Sequence, residues 1–255
     1  MTHSPKVVAK SVDKTEGHLA NGQVRAIIEG LGEQAPLITV EEVAVDPQVI
    51  AFLKAANRQL DILGYTEHGE RHANLVAHIA YNILDRLGYP ERLCHLAAIA
   101  GYCHDSGNLV HREMHAQSSA FIAMLVLGRL GMSYDEIALV MGAIGNHEEE
   151  RGDITSPISA AIIIADKSDV HRSRVQEQDP LKYDIHDRVN YATKRSFARV
   201  DGEKRTVTLE LDIDTGVAEI MEYFEIFVDR MVMARRAAEF LGAEFELVIN
   251  DVRLF

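Results

Sequence analysis

Six residues of metal-ligating type stand at wide separations: His72, the adjacent pair His104-Asp105, His115, His147 and Asp166. Neutral imidazole and carboxylate are the ligands that borderline divalent metals favour. The pair lies in the stretch Gly101-Tyr-Cys-His-Asp-Ser-Gly-Asn108, after the apolar run Leu93 to Ala100. Adjacent side chains on a helix diverge. At a helix end, however, both can reach one ion, and a stretch closing in Gly and Asn predicts a helix end. The other four each lie beside a segment of helical periodicity. The chain has 12 His, so several carry no ligand role; His3, His18, His78, His95, His171 and His186 are read so. His68 competes with His72, because it precedes Arg71, and His111 competes with His115. The context Ala116 to Ala120 favours His115, and Val76 and the distance to Gly88 favour His72.

The ordered set resembles the HD superfamily of metal-dependent phosphohydrolases over about residues 65 to 175. His72-Ala-Asn-Leu-Val76 is similar to that family's first-ligand motif. His104-Asp-Ser-Gly-Asn108 resembles its His-Asp-x-Gly element, and His115-Ala-Gln-Ser-Ser-Ala120 resembles a stretch of members with two metals. Asn146-His147-Glu148 and Ala165-Asp166-Lys167 are similar to the last two ligand elements. Asn108 stands where many members have Lys, and Ser106 where Ile is common. The Gly-Tyr-Pro signature of cyclic-di-guanylate phosphodiesterases and the paired acids of alarmone hydrolases are absent from their places.

The resemblance implies one or two divalent ions per chain, from among Mn, Fe, Zn, Ni, Co and Mg. His72, His104 and Asp166 would hold one, His115 and His147 the other, with Asp105 between them as bridge and catalytic carboxylate. Such ions lower the pKa of water and offset charge on a phosphoryl group. Lys167, directly after the last ligand, is expected to be catalytic and to bind substrate, with Arg172 and Arg174 beyond it. Residues 167–205 hold ten basic residues against seven acidic ones. A positive rim on an acidic protein suits a small phosphorylated ligand.

The positioning elements read as helices. Asp46-Pro47 predicts a helix start, and Val49, Leu53, Ala56 and Leu60 follow at helical spacing up to Gly64. Further helices are predicted from His72 to Leu87, Glu91 to Cys103, Met114 to Leu130, after a Ser133–Glu136 capping box, and from Ile158 to about Val170. A short apolar patch, Val24 to Ile28, predicts one helix near the start. After Gln176 the pattern changes. Lys182 to Tyr191 reads as helix. Val207, Leu209, Leu211 and Ile213 alternate with polar residues, which predicts a half-buried strand. Asp201-Gly202 signals a hairpin turn with Phe197 to Val200 as partner. A helix from Gly216 to Leu241, anchored by Phe224 and Phe227, leads to a last strand at Phe245, Leu247 and Ile249. The predicted fold is mainly α: an N-terminal segment (1–45), a helical metal-binding domain (46–180) and a small α+β C-terminal appendage (181–255).

Composition narrows the function classes. Apolar residues at 47% and charged residues at 25% are those of a globular protein. A net charge of −13 opposes general nucleic-acid binding, which needs clustered Lys and Arg. No apolar run reaches the length of a membrane span, no signal-peptide core is visible, and Cys94 and Cys103 read as reduced buried thiols. A cytoplasmic protein is expected. Its reaction would be hydrolysis of a phosphate ester or anhydride, most simply of a nucleotide. The rival readings are a non-catalytic metal- or nucleotide-binding regulatory module and a di-iron oxygenase on the same scaffold. Unpaired edges in the small sheet further suggest a homodimer through the C-terminal region.

Overall fold

The computed structural model describes residues 37–149 and 152–254; the helix expected near Val24 to Ile28 lies outside them. The order of elements is α1 (Val40–Ala44), α2 (Pro47–Ile62), α3 (Glu70–Arg86), α4 (Glu91–Cys103), α5 (His115–Leu130), α6 (Tyr134–Gly145), α7 (Pro157–Lys167), α8 (Ile185–Ala192), β1 (Thr193–Asp201), β2 (Thr206–Ile213), α9 (Ile220–Phe240), β3 (Glu244–Ile249) and β4 (Val252–Arg253). Short 3-10 turns lie at Ser106–Leu109, Arg172–Arg174 and Pro180–Lys182. The fold is mainly helical with a small C-terminal sheet, as the periodicity predicts.

The helix starts follow capping chemistry. Asp46 accepts hydrogen bonds from the Gln48 and Val49 N–H groups at 3.0 and 3.3 Å, and Pro47 takes the first helical position, where its missing N–H costs nothing. Ser156 caps α7 in the same way, with Pro157 behind it. The Ser133 hydroxyl accepts from the Glu136 N–H at 3.3 Å. The reciprocal half of that expected box is not made, because the Glu136 carboxylate pairs with Arg92 at 2.5 and 2.8 Å. A charge-assisted bidentate pair is stronger than a carboxylate-to-amide cap.

Helices α3, α4 and α7 form the centre of the bundle. Helix α7 is buried all round: Ile158, Ile162, Ile163 and Ile164 are inaccessible or nearly so. Helix α4 crosses α3 closely at Gly101, where an added Cβ would lie 3.1 Å from the Ala77 backbone nitrogen. Cys94 and Cys103 are buried and free, and burial pushes their thiols up to about 11 and about 12.

The sheet order is β1-β2-β3-β4. Strands β1 and β2 form the predicted antiparallel hairpin, with Ala198 opposite Leu209. Strand β3 runs parallel to β2, Leu209 opposite Leu247, with α9 as the crossover. The sequence reading placed the strand but not its direction; parallel neighbours need such a crossover. Tyr223 and Phe227 anchor α9, whereas Phe224 is only half-buried. Helix α9 also packs on α7, and one apolar core runs from the bundle into the sheet. The tail therefore helps to build the site.

Candidate metal centre

Helix α4 ends at Cys103 and His104 is its C-cap. The last carbonyls of a helix have no partner within it, and the His104 ring takes one: Nδ1–H donates to the Gly101 oxygen at 2.7 Å. His147, just past the end of α6, donates to the Ile144 oxygen at 2.6 Å, and His115 donates to the Arg112 oxygen at 2.8 Å. All three reach a carbonyl three residues back. A carbonyl only accepts, so each Nδ1 carries a proton and Nε2 is the ring nitrogen left to face a ligand. His72 differs. Its Nδ1 faces Asp169 Oδ2 at 2.7 Å. Arg71 donates to both oxygens of that carboxylate, at 3.3 and 2.8 Å, and Arg174 donates to the Asp169 main-chain oxygen at 2.8 Å.

The Nε2 atoms and carboxylates converge in two clusters. In the first, His72 Nε2 lies 3.3 Å from His104 Nε2, 3.4 Å from Asp105 Oδ2 and 3.3 Å from Asp166 Oδ1. His104 Nε2 is 3.3 and 3.6 Å from the same two oxygens. Four ligands about 2.1 Å from a tetrahedral ion stand about 3.4 Å apart, so the cluster has the dimensions of a metal cage. In the second, His115 Nε2 lies 3.1 Å from His147 Nε2 and 3.5 Å from Asp105 Oδ1. Asp105 thus presents one oxygen to each cluster. The Asn108 amide fixes it, donating to Asp105 Oδ1 at 2.9 Å and to its main-chain oxygen at 3.0 Å.

Gly107 brings the clusters together. Its N–H donates to Ser119 Oγ at 2.7 Å, and an added Cβ would meet the His115 carbonyl oxygen at 2.2 Å and the Ser119 nitrogen at 2.4 Å. Only glycine lets α5 approach closely enough for His115 to face Asp105.

The electrostatics of the two clusters differ. Burial disfavours charge on His72 and His104, yet the surrounding carboxylates outweigh it and lift them to about 9 and about 10. Burial would likewise raise Asp105 and Asp166. His104 beside the first and Lys167 beside the second hold both well below the usual carboxylate range. In the second cluster burial prevails, and His115 and His147 are lowered. The first cluster is a strong attractor of positive charge; the second is a pair of neutral imidazoles.

All six expected ligands meet here. His72 and His115 supply ring nitrogens to the clusters; His68 lies beside His72, with ring centroids 5.3 Å apart and Nδ1 on the Thr66 oxygen, and lines the adjoining cleft. His111 is exposed and its Nδ1 accepts from the Glu113 N–H. Lys167 is in the cleft but only 3% exposed. Its ammonium lies 2.6 Å from Asp166 Oδ2 and 3.0 Å from Glu149 Oε1.

Two expected substrate contacts need correction. Arg174 is buried behind His72, donating to the Glu67 and Asp169 carbonyls. Arg172 is exposed, with its guanidinium 5.5 Å from the Tyr191 ring centroid. The wider basic window is largely occupied by pairs on the surface, Arg195 and Arg199 with Glu210, Lys194 with Asp214, and Arg188 with Glu222. The cleft's other cations are instead Arg112 and Arg230, accompanied by Glu148 and Glu149.

Sequence reasoning missed Asp169, Glu149 and Arg230. Asp169 follows Asp166 by three residues but lies beyond the end of α7 at Lys167, so helical spacing did not mark it. Arg230 had no signal, being one of several charges on a long amphipathic helix of the tail. The cleft holds about 20 Å³ of water-sized space, room for about one water. A larger open groove of about 490 Å³ lies between Arg86 and the β1–β2 turn; it contains none of these ligands, and chemistry rather than size places the site at the clusters.

No family model matches the chain. It is similar to the uncharacterized protein MJ1020 of Methanocaldococcus jannaschii, 28% identical over 213 residues, covering 73% of this chain and 81% of the relative. Among the described residues, His72, His104 and Asp166 form one group able to hold a metal ion, and His104, Asp105 and His147 another. No helix of the described residues is long and apolar enough to cross a membrane.

Proposed function

We propose that this chain is an HD-type metal-dependent phosphohydrolase that hydrolyses an ester or anhydride of a nucleotide or similar small phosphorylated molecule. The observation that carries the reading is Asp105, whose two oxygens face two separate imidazole clusters. That donor set fits two divalent ions of the Mn, Fe, Co or Zn kind. Bound there, the ions would lower the pKa of water and neutralise charge on the phosphoryl oxygens. The chain's own residues do the rest. His72, His104 and Asp166 would hold one ion and His115 and His147 the other. Asn108 orients the shared carboxylate. Lys167 and Arg230 supply fixed positive charge beside the cluster.

Purified protein loaded with Mn²⁺ is expected to cleave a generic phosphomonoester or phosphodiester, and Asp105→Ala to abolish it. Full activity and metal content in that variant would end the proposal. The small volume of the cleft favours a second reading, a regulatory module that holds metal without turnover. A panel of nucleotides that are bound but never cleaved, with two ions present, would select it. We also propose a homodimer through the C-terminal sheet, whose outer strand β1 carries the half-exposed Phe197. A monomer in sedimentation at micromolar concentration would exclude it.

A further inference from the structure

Glu149 occupies a notch between two cations of the cleft. Its Oε1 lies 3.0 Å from the Lys167 ammonium and 3.1 Å from Arg230 Nε. Lys167 is almost fully buried, and Arg230, stacked at 4.8 Å from the Phe227 ring centroid, is held from the far side by α9. Lys167 also touches Asp166 Oδ2, while Asp166 Oδ1 belongs to the first cluster. The notch therefore adjoins the first cluster through Asp166.

Glu149 meets both cations through a single oxygen, Oε1, whose geometry is aimed at neither along a good hydrogen bond. A tetrahedral oxyanion, with several oxygens to aim, can satisfy Lys167 and the forked guanidinium together.

We propose that the carboxylate of Glu149 is a displaceable plug in an oxyanion seat formed by Lys167 and Arg230, and that the phosphate of the substrate expels it. The proposal rests on the phosphohydrolase reading for the identity of the anion, but the seat itself can be tested without turnover. The cation from α9 makes the C-terminal segment part of the binding site. Removal of the plug should then strengthen anion binding, whereas a merely structural glutamate would weaken it when removed.

The test titrates inorganic phosphate into Mn²⁺-loaded protein by calorimetry, with metal content measured in every sample. Glu149→Gln is expected to bind phosphate about 10-fold more tightly than the parent chain, and Arg230→Gln about 10-fold more weakly, as for one charge-assisted contact. Both variants should keep the parent metal content. Unchanged or weaker binding in Glu149→Gln overturns the plug, and unchanged binding in Arg230→Gln overturns the seat. If Arg230→Gln fails to fold, Arg230→Lys, which keeps charge but loses the fork, should weaken binding by a smaller factor. No phosphate binding by any of these proteins also overturns the proposal. Shifts as expected with no turnover of any phosphate ester would leave the seat standing and remove the enzymatic reading instead.

Discussion

The two clusters share Asp105 and differ in what stands behind and in front of them. Behind His72 is a carboxylate, Asp169, clamped by Arg71 and Arg174. Behind His115 and His147 are main-chain carbonyls, with the Glu148 carboxylate more distant, 3.8 Å from His115 Nδ1. In front, the first cluster closes on itself with four ligand atoms, two of them from carboxylates. The second has two imidazoles and one oxygen, and faces the cleft. Closed four-ligand sites hold an ion, whereas sites with three protein ligands keep positions for water and substrate. On the proposed two-ion reading, one carboxylate would connect a cluster that retains its ion with one that exposes it.

The largest effect should come from the shared residue. Asp105→Ala is expected to remove both ions, from two per chain to nearly none by elemental analysis, and to abolish turnover. Each bound ion stabilises the fold by about 2.7 kcal/mol at a free concentration 100-fold above its Kd, so the variant should also lose the melting-temperature gain that Mn²⁺ gives the parent chain. A variant that kept one ion would show that the clusters are independent. His147→Ala should cost only the exposed ion, leaving one per chain and no activity. Gly107→Ala should reach the same state without touching a ligand, because the new Cβ pushes α5 and His115 away. Loss of the retained ion in either variant would reverse the assignment of roles.

Subtler is Asp169→Asn, which removes the carboxylate behind His72. Changes of this kind typically weaken metal binding by about 10- to 100-fold, and here the loss should fall on the retained ion, read by competition with a chelating dye. An equal loss at both sites would make Asp169 a general brace. The smallest effect concerns pH. In the metal-free chain His72 and His104 are lifted to about 9 and about 10, above an unfolded value of about 6.5. Their stabilising contribution is complete below that unfolded value and disappears as pH rises through 9 and 10. Asp105 and Asp166 are depressed, so theirs is lost only as pH falls below the usual carboxylate range. Metal-free protein should therefore melt a few degrees lower at pH 10 than at pH 6.5. Metal replaces the same protons, so loaded protein should show a smaller drop. Equal drops would place the titration elsewhere.

Much of this arrangement was legible in the residues. The candidate ligands could be read because their motifs resemble those of a known family, and the helix-end signal at Gly107-Asn108 placed His104 at the end of its helix. The helices of the bundle could be read because their apolar stripes repeat at 3.6 residues. The cations that line the cleft, Lys167 apart, could not. Arg174 and Arg172 follow Asp166 closely, but the chain leaves α7 at Ser168 and turns through a 3-10 segment, which sends Arg174 inward and Arg172 to the surface. Proximity in sequence is a poor guide beyond a helix end. Arg230 reaches the cleft through tertiary packing of α9 on α7, and no local pattern encodes that.

The parallel pairing of β2 with β3 sets the order in which the molecule can be assembled. All six ligands lie between residues 72 and 166, so a growing chain carries the complete metal cage before α9 exists. The cleft gains Arg230 only after α9 is made, and α9 is fixed by a strand that comes later still. Non-local parallel pairing is slow compared with helix packing. On the proposed reading, metal capture would precede completion of the binding site, and the pairing of β3 would decide when Arg230 joins it.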